Sequence, residues 1–192
     1  MKKVCLDIDG VVLNMSEGLK IYLRKQNIDF HPENVITYNF GGDIGCSKSA
    51  VYNVFCNIDF YRNIPFIDGS VEAINRLKQK VIVQAYTTVV DVPEIYQLRS
   101  SLCKELGLVG VPYIGNKPVV DDIDAIFDDC LGVHKDWIRN NSSAKQYLID
   151  APYNQKIKEN ELSFTHWNNI IRCKNLAEAV DLYLKELDDG NY

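Results

Sequence analysis

Two carboxylates, Asp7 and Asp9, interrupt an otherwise apolar run near the start of the chain, VCLDIDGVVLN (residues 4–14). Side chains alternate faces along an extended strand, so residues two apart point the same way and both acids address one place. Like charges at that range repel, and a buried unpaired carboxylate is costly or takes up a proton. A second acidic pair, Asp128 and Asp129, closes another apolar run, AIFDDC (125–130). If both runs are central strands of a parallel sheet, their carboxyl ends bring three or four carboxylates into one crevice. Such a cluster requires a cation, and hard oxygen ligands with room for water suit Mg²⁺.

Two further residue sets point to the same end of such a sheet. VIVQAYTT (81–88) finishes in Thr87 and Thr88, hydroxyls at a strand terminus beside backbone N–H groups, a fit for phosphate oxygens. GNKPVV (115–120) sets Lys117 between flexible Gly115 and Asn116 and rigid Pro118, which fixes an ammonium in a loop over the crevice. In isolation these read as a turn threonine, a solvated lysine and strand-end acids. Their occurrence together and in this order is what carries meaning.

The elements that must position these groups alternate in type. Apolar runs at 4–8, 81–86, 111–114, 125–129, 146–149 and 169–173 predict strands. Helical periodicity predicts helices over 69–77, over 93–106, with Ile95, Leu98, Leu102 and Leu106 along one face, Pro93 in the first turn and Gly107 just past the end, and over 175–187, where Asn175 caps and Glu178 follows three residues later. Strands alternating with helices predict an α/β fold, a doubly wound parallel sheet covered on both faces. Residues 15–66 break the rhythm. They carry helical patterns at 16–26 and 47–55 around a Gly- and Asn-rich loop, HPENVITYNFGGDIG, but no core strand. An insertion longer than a strand–helix connection needs reads as a small helical cap over the carboxyl ends of the strands. The expected division is therefore a core of 1–14 and 67–192 and a cap of 15–66.

The chain has 192 residues, enough for one full hydrophobic core with a small subdomain. No apolar run approaches the roughly 18 residues of a membrane span. The start, MKKVCLDIDG, is too short and too acidic for a signal peptide, so a cytoplasmic protein is expected. A formal charge of −5 without a dense basic patch argues against a nucleic-acid polymer as partner, but not against a small phosphorylated ligand. The six cysteines show no metal-ligand spacing and read as reduced thiols. His31, His134 and His166 stand apart and read as surface or hydrogen-bonded residues; Trp137 and Trp167 read as packing residues. The aromatic residues Tyr38, Phe40, Tyr52, Phe55, Phe60 and Tyr61 read mostly as the cap's own core, with one or two free to stack on a nucleotide base.

Taken in order, Asp7-Ile8-Asp9-Gly10-Val11-Val12, Thr87 after an apolar strand, Lys117, and Phe127-Asp128-Asp129 resemble the four-motif pattern of the haloacid dehalogenase superfamily of phosphotransferases. Residues 64–78 (IPFIDGSVEAINRLK), the spacing to VIVQAYTT, and the tail with LIDAPYN (148–154) and HWNNIIRCKNLAEAV (166–180) are similar to the 5′(3′)-deoxyribonucleotidase family. The resemblance implies a Rossmann-like sheet with a cap inserted after the first strand. It implies Asp7 as nucleophile, forming an aspartyl-phosphate, and Asp9 as general acid and then general base. Thr87, Thr88 and Lys117 would bind the phosphoryl group. Mg²⁺ would be held by Asp7, by the backbone carbonyl of Asp9, and by Asp128 and Asp129, with the direct ligand of that pair left open. The implied substrate is a deoxyribonucleoside monophosphate.

Two departures bear on base preference. The family typically has a tryptophan in its cap pocket, whereas this chain has none before Trp137; and Cys130 follows the acidic pair where animal members carry a basic residue. Two other functions compete: a phosphatase for another small ester such as a sugar phosphate, and a non-catalytic binding module of the same fold. A binding module has no need to keep a repelling acid cluster. The oligomeric state, a homodimer included, is open.

Overall fold

A computed structural model describes residues 1–32, 35, 48–140, 142–155 and 170–190, apart from the side chains of 48–50. Tyr38, Phe40, Cys46, His166 and Trp167 lie outside the described residues. Along the chain the elements run β1 (Lys3–Leu6), α1 (Met15–Arg24), α2 (Lys48–Phe55), α3 (Ile58–Arg62), α4 (Ser70–Lys78), β2 (Ile82–Ala85), β3 (Thr88–Val89), α5 (Pro93–Glu105), β4 (Tyr113–Ile114), β5 (Ala125–Asp128), α6 (Leu131–Arg139) and β6 (Lys145–Ile149). A 3-10 turn at Pro152–Asn154 follows, then β7 (Ile170–Cys173) and α7 (Leu176–Asp188).

β1 sits between β2 and β5 in a parallel sheet of order β2-β1-β5-β6-β7. The chain leaves β1 toward β2 on one side and reaches β5 on the other, so the strand order reverses at β1. Ligands of open α/β sheets bind in the crevice outside the strand ends at such a point. Alternation along the strands feeds two separate apolar clusters. Val4, Leu6, Ala125 and Phe127 join the larger one, while Cys5 and Ile126 join a smaller one with Tyr86 and Trp137. Both faces are therefore covered, which is why β1 and β5 read as near-continuous apolar runs. The α/β, doubly wound arrangement predicted from the sequence is the one observed.

Helix ends follow their local chemistry. In α7 the Asn175 side chain accepts from the Glu178 N–H at 3.0 Å, while the Glu178 carboxylate reaches back to the Lys174 N–H at 2.6 Å, one residue before the cap. Not every element matches the prediction. The run 111–114 contributes only Tyr113–Ile114, which pairs with β3 in a separate two-stranded sheet. And α6 carries no aliphatic stripe to announce it, because its buried residues are His134 and Trp137.

The ends of the 15–66 segment lie side by side. Asn14 N–H donates to the Pro65 carbonyl and Ile67 N–H to that of Val12, both at 2.8 Å. Between them α1, α2 and α3 bury Leu19, Leu23, Val51, Val54 and Phe60 in the same cluster as Val4 and Leu6 of the sheet. Among the described residues, no helix is long and apolar enough to cross a membrane.

Candidate active site

Asp7 is the first residue beyond β1, pinned by its own N–H to the Phe127 carbonyl at 2.9 Å. One carboxylate oxygen accepts from the Ile8 N–H at 2.7 Å, and the other lies 2.7 Å from Lys117 Nζ. Asp128 ends β5 on the neighbouring strand. Its Oδ1 accepts from the Cys130 N–H at 2.8 Å and its Oδ2 lies 2.6 Å from the same ammonium. Lys117 thus bridges the acids of two strand ends. Its own position is set from below: the ammonium stands 5.3 Å from the centre of the Tyr86 ring. The Tyr86 hydroxyl donates to the Pro118 carbonyl at 2.6 Å and accepts from Trp137 Nε1 at 2.8 Å. Trp137 therefore packs, as expected, and also anchors the loop that carries Lys117. His134, fully buried, lies 3.0 Å from the Asp128 carbonyl and 2.9 Å from the Gln146 side chain, a structural hydrogen-bonding role.

Asp129 is held from the other side by the 3-10 turn. Asn154 Nδ2 donates to its backbone carbonyl at 2.9 Å, and the Tyr153 hydroxyl donates to its Oδ2. Its Oδ1 is buried with no hydrogen-bond partner among the described residues. One carboxylate oxygen from each of Asp7, Asp128 and Asp129 falls within 4.8 Å of the others. Gly10 makes room for this arrangement. It has φ of 90°, and a Cβ there would stand 1.8 Å from Asp129 Oδ2.

The Asp9 carboxylate is not in that cluster. It turns to Arg99 of α5, accepting from Nη2 at 2.6 Å and from Nε at 3.4 Å. Thr87 lies just before β3, fully buried, with its carbonyl accepting from the Tyr113 N–H at 2.8 Å. Its hydroxyl has no partner among the described residues. A buried hydroxyl left so costs about 1–3 kcal/mol, which suggests a group completed by a ligand.

Electrostatics follow from this packing. Burial pushes the Asp7 carboxyl up to about 7, with Lys117 opposing the rise and Asp128 and Asp9 adding to it. Burial, then the Asp7 and Asp128 charges, hold Asp129 well above the usual carboxylate range. Burial alone would weaken the charge on Lys117, but Asp128 and Asp7 outweigh it and hold the ammonium protonated. Full ionisation of Asp7, Asp9, Asp128 and Asp129 against Lys117 and Arg99 would leave the site a formal charge of −2, which one divalent cation matches. The open oxygen of Asp129 and the all-oxygen donor set fit a hard cation such as Mg²⁺.

One side of this site faces a cleft of about 500 Å³. Asp7, Asp9, Thr87 and Thr88 line its floor, and Met15, Tyr52, Phe55, Tyr61, Val90 and Ile114 are apolar walls, with Asp91 also lining it. Of the described aromatic residues in 15–66, Phe60 is fully buried against Tyr22, Phe55 and Tyr61 and does not line the cleft.

Two contributors escape a reading of the sequence. Tyr153 sits in a short turn without a pattern. Arg99 did leave a signal: the buried positions of α5 are Ile95, Arg99 and Cys103, spaced by four, so a charged residue occupies the middle of the inward stripe. The stripe expected from Ile95, Leu98, Leu102 and Leu106 is rotated from the true one, with Leu98 and Leu102 only partly buried.

No protein-family model matches the chain, and no curated protein matches it by sequence. Solved structures match it in fold. D,D-heptose 1,7-bisphosphate phosphatase from Burkholderia thailandensis superposes with a TM-score of 0.51 at 14% identity, covering 96% of this chain and 99% of that one. The B. bronchiseptica phosphatase of the same name, complexed with magnesium and phosphate, gives 0.51 at 15% identity over 97% and 99%. A haloacid dehalogenase-like hydrolase from Streptococcus pneumoniae gives 0.52 at 12% identity over 95% and 98%. The chain has the α/β fold of haloacid dehalogenase-like hydrolases, as its ordered motifs led us to expect.

Proposed function

We propose that this protein is a Mg²⁺-dependent phosphatase of small phosphate monoesters, acting through an aspartyl-phosphate on Asp7. The observation that carries the reading is the juxtaposition of a buried acid triad, whose Asp129 Oδ1 has no partner among the described residues, with a buried Thr87 hydroxyl that likewise has none, Asp7 of the triad and Thr87 lining the same cleft. Asp7 attacks phosphorus as the ester P–O bond breaks, and Asp9 gives its proton to the departing oxygen. Water then attacks the aspartyl-phosphate, Asp9 takes its proton, and Asp7 is released with inorganic phosphate. Thr87, Thr88 and Lys117 hold the phosphoryl oxygens, and the Lys117 ammonium lessens repulsion between ester and nucleophile.

Asp7, Asp129 and the Asp9 carbonyl would hold Mg²⁺, which supplies charge neutralisation for the phosphoryl group. Both oxygens of Asp128 are already engaged, by Lys117 and the Cys130 N–H, so Asp129 is the better direct ligand. Asp128 instead fixes Lys117.

For the leaving group we propose a deoxyribonucleoside, with residues 15–66 acting as the cap over it. Tyr52, Phe55 and Tyr61 of that segment give the cleft an aromatic wall suited to a base. The similar solved structures named above are heptose bisphosphate phosphatases, so a sugar phosphate is the competing substrate. A base presents a flat π face to such a wall and a sugar ring only its C–H face. Phosphate release from deoxynucleotides, sugar phosphates and p-nitrophenyl phosphate, with Mg²⁺ or with a chelator, separates these readings. Deoxynucleotides should lead. A sugar-phosphate preference would select the competitor, and no release under either condition would contradict both.

A further inference from the structure

Among the described residues Arg99 is the most deeply buried cation, 1% exposed in the middle of α5. Its guanidinium is bound on two sides. Asp9 takes it at 2.6 Å through Nη2, and the ring of Tyr61 on α3 stacks beneath it with 4.7 Å between Cζ and the ring centroid. A buried ion pair of this kind is weak evidence for stability, because apolar replacements of similar volume are often neutral or better. Its placement argues for a task at Asp9 instead. Asp9 is more exposed than Asp7, Asp128 or Asp129, with 18% of its side chain accessible, and it lines the cleft. The clamp is also asymmetric. Nη2 holds Oδ1 at 2.6 Å, whereas Nε reaches Oδ2 only at 3.4 Å.

We infer that Arg99 is a positioning residue, which fixes Oδ1 of Asp9 so that Oδ2 is presented to the leaving oxygen of the ester; this rests on the phosphatase reading above. The proton travels on Oδ2: it passes to the leaving oxygen as the ester P–O bond breaks and the Asp7–phosphorus bond forms. It is replaced from the attacking water in the second step. Tyr61 joins this clamp to the substrate side, since the ring that stacks on Arg99 also lines the cleft wall. An arginine fork suits the task because its planar donors set the carboxylate plane as well as its charge.

A role confined to packing or to bulk charge would slow all esters alike. Positioning of a general acid would not, because p-nitrophenolate leaves without help while an alkoxide needs a proton. The test measures kcat/KM with Mg²⁺ for a deoxyribonucleoside 5′-monophosphate and for p-nitrophenyl phosphate, in wild type, Arg99→Met, Arg99→Lys, Asp9→Asn and the double variant Asp9→Asn/Arg99→Met. General acid catalysis typically contributes at least about 10²-fold. Arg99→Met should therefore lose roughly 10²-fold on the nucleotide and less than about tenfold on the aryl ester. Arg99→Lys should recover part of the nucleotide loss, and Arg99→Met should cost nothing further in the Asp9→Asn background. If circular dichroism shows Arg99→Met unfolded, Arg99→Lys carries the test with the same unequal losses at smaller size. Equal losses on both esters, or losses additive with Asp9→Asn, would overturn the inference while leaving the phosphatase reading intact. A wild type inactive on both esters would overturn the two together.

Discussion

Lys117 Nζ lies 2.7 Å from a carboxylate oxygen of Asp7, with both side chains less than a tenth exposed. The same ammonium touches Asp128 at 2.6 Å, so one cation ties the ends of β1 and β5 together. Removing one partner from a buried ion pair costs about 3–5 kcal/mol, because the other charge is left uncompensated. Lys117→Met should accordingly lower the thermal midpoint markedly and abolish turnover. Turnover within a few-fold of wild type would show that Lys117 has no part in holding the phosphoryl group.

The raised carboxyls give the Mg²⁺-free protein a pH dependence whose sign is determined. Asp7 titrates at about 7 in the fold against about 4 in the unfolded chain, and Asp129 is raised as well. The folded state then binds more protons than the unfolded one across that window, so stability falls as pH climbs from about 4 to about 7. Mg²⁺ binding displaces those protons and grows stronger over the same range. Thermal melts with and without Mg²⁺ should show a larger metal-induced rise at pH 8 than at pH 5. A rise independent of pH would argue that these carboxyls are not its ligands.

Asp128 and Asp129 are neighbours with different contacts, one bound to Lys117 and the other to Tyr153. Asp129→Asn should abolish the Mg²⁺ stabilisation of the thermal midpoint, since it alters the buried carboxylate whose Oδ1 has no partner among the described residues. Asp128→Asn should keep a weakened Mg²⁺ response and lose activity through Lys117. Calorimetric Mg²⁺ titration of both variants distinguishes the roles; the reverse order of losses would exchange them.

Tyr52 lines the cleft yet is 60% exposed, so Tyr52→Ala can be made without opening the core. Stacking on a base is worth about 1–3 kcal/mol, which predicts that KM for a deoxynucleotide rises on the order of tenfold. KM for glycerol phosphate, which has no ring, should hardly change. Equal shifts for the two esters would remove Tyr52 from the base-binding wall.

The acids at strand ends were legible because apolar runs broken by paired Asp residues report a buried strand and its terminus at once. Asp7, Asp128, Asp129, Thr87 and Lys117 come together where the parallel sheet reverses its strand order, as their order along the chain suggests. What stayed hidden depended on rotation and reach rather than on pattern. A shift of the α5 stripe by one residue turns Arg99 from a solvated charge into the partner of Asp9. Tyr153 reaches Asp129 from a turn whose conformation nothing in PYN announces. The helix α6 was missed because it buries a histidine and a tryptophan in place of aliphatic residues.

The central claim is that Asp7 is the nucleophile of a Mg²⁺-dependent phosphatase. Phosphate release by wild type and by Asp7→Asn, assayed side by side with Mg²⁺ and with native circular dichroism in both, tests it most directly. The wild type should release phosphate and Asp7→Asn none above background. Near-wild-type release by a folded Asp7→Asn would contradict it.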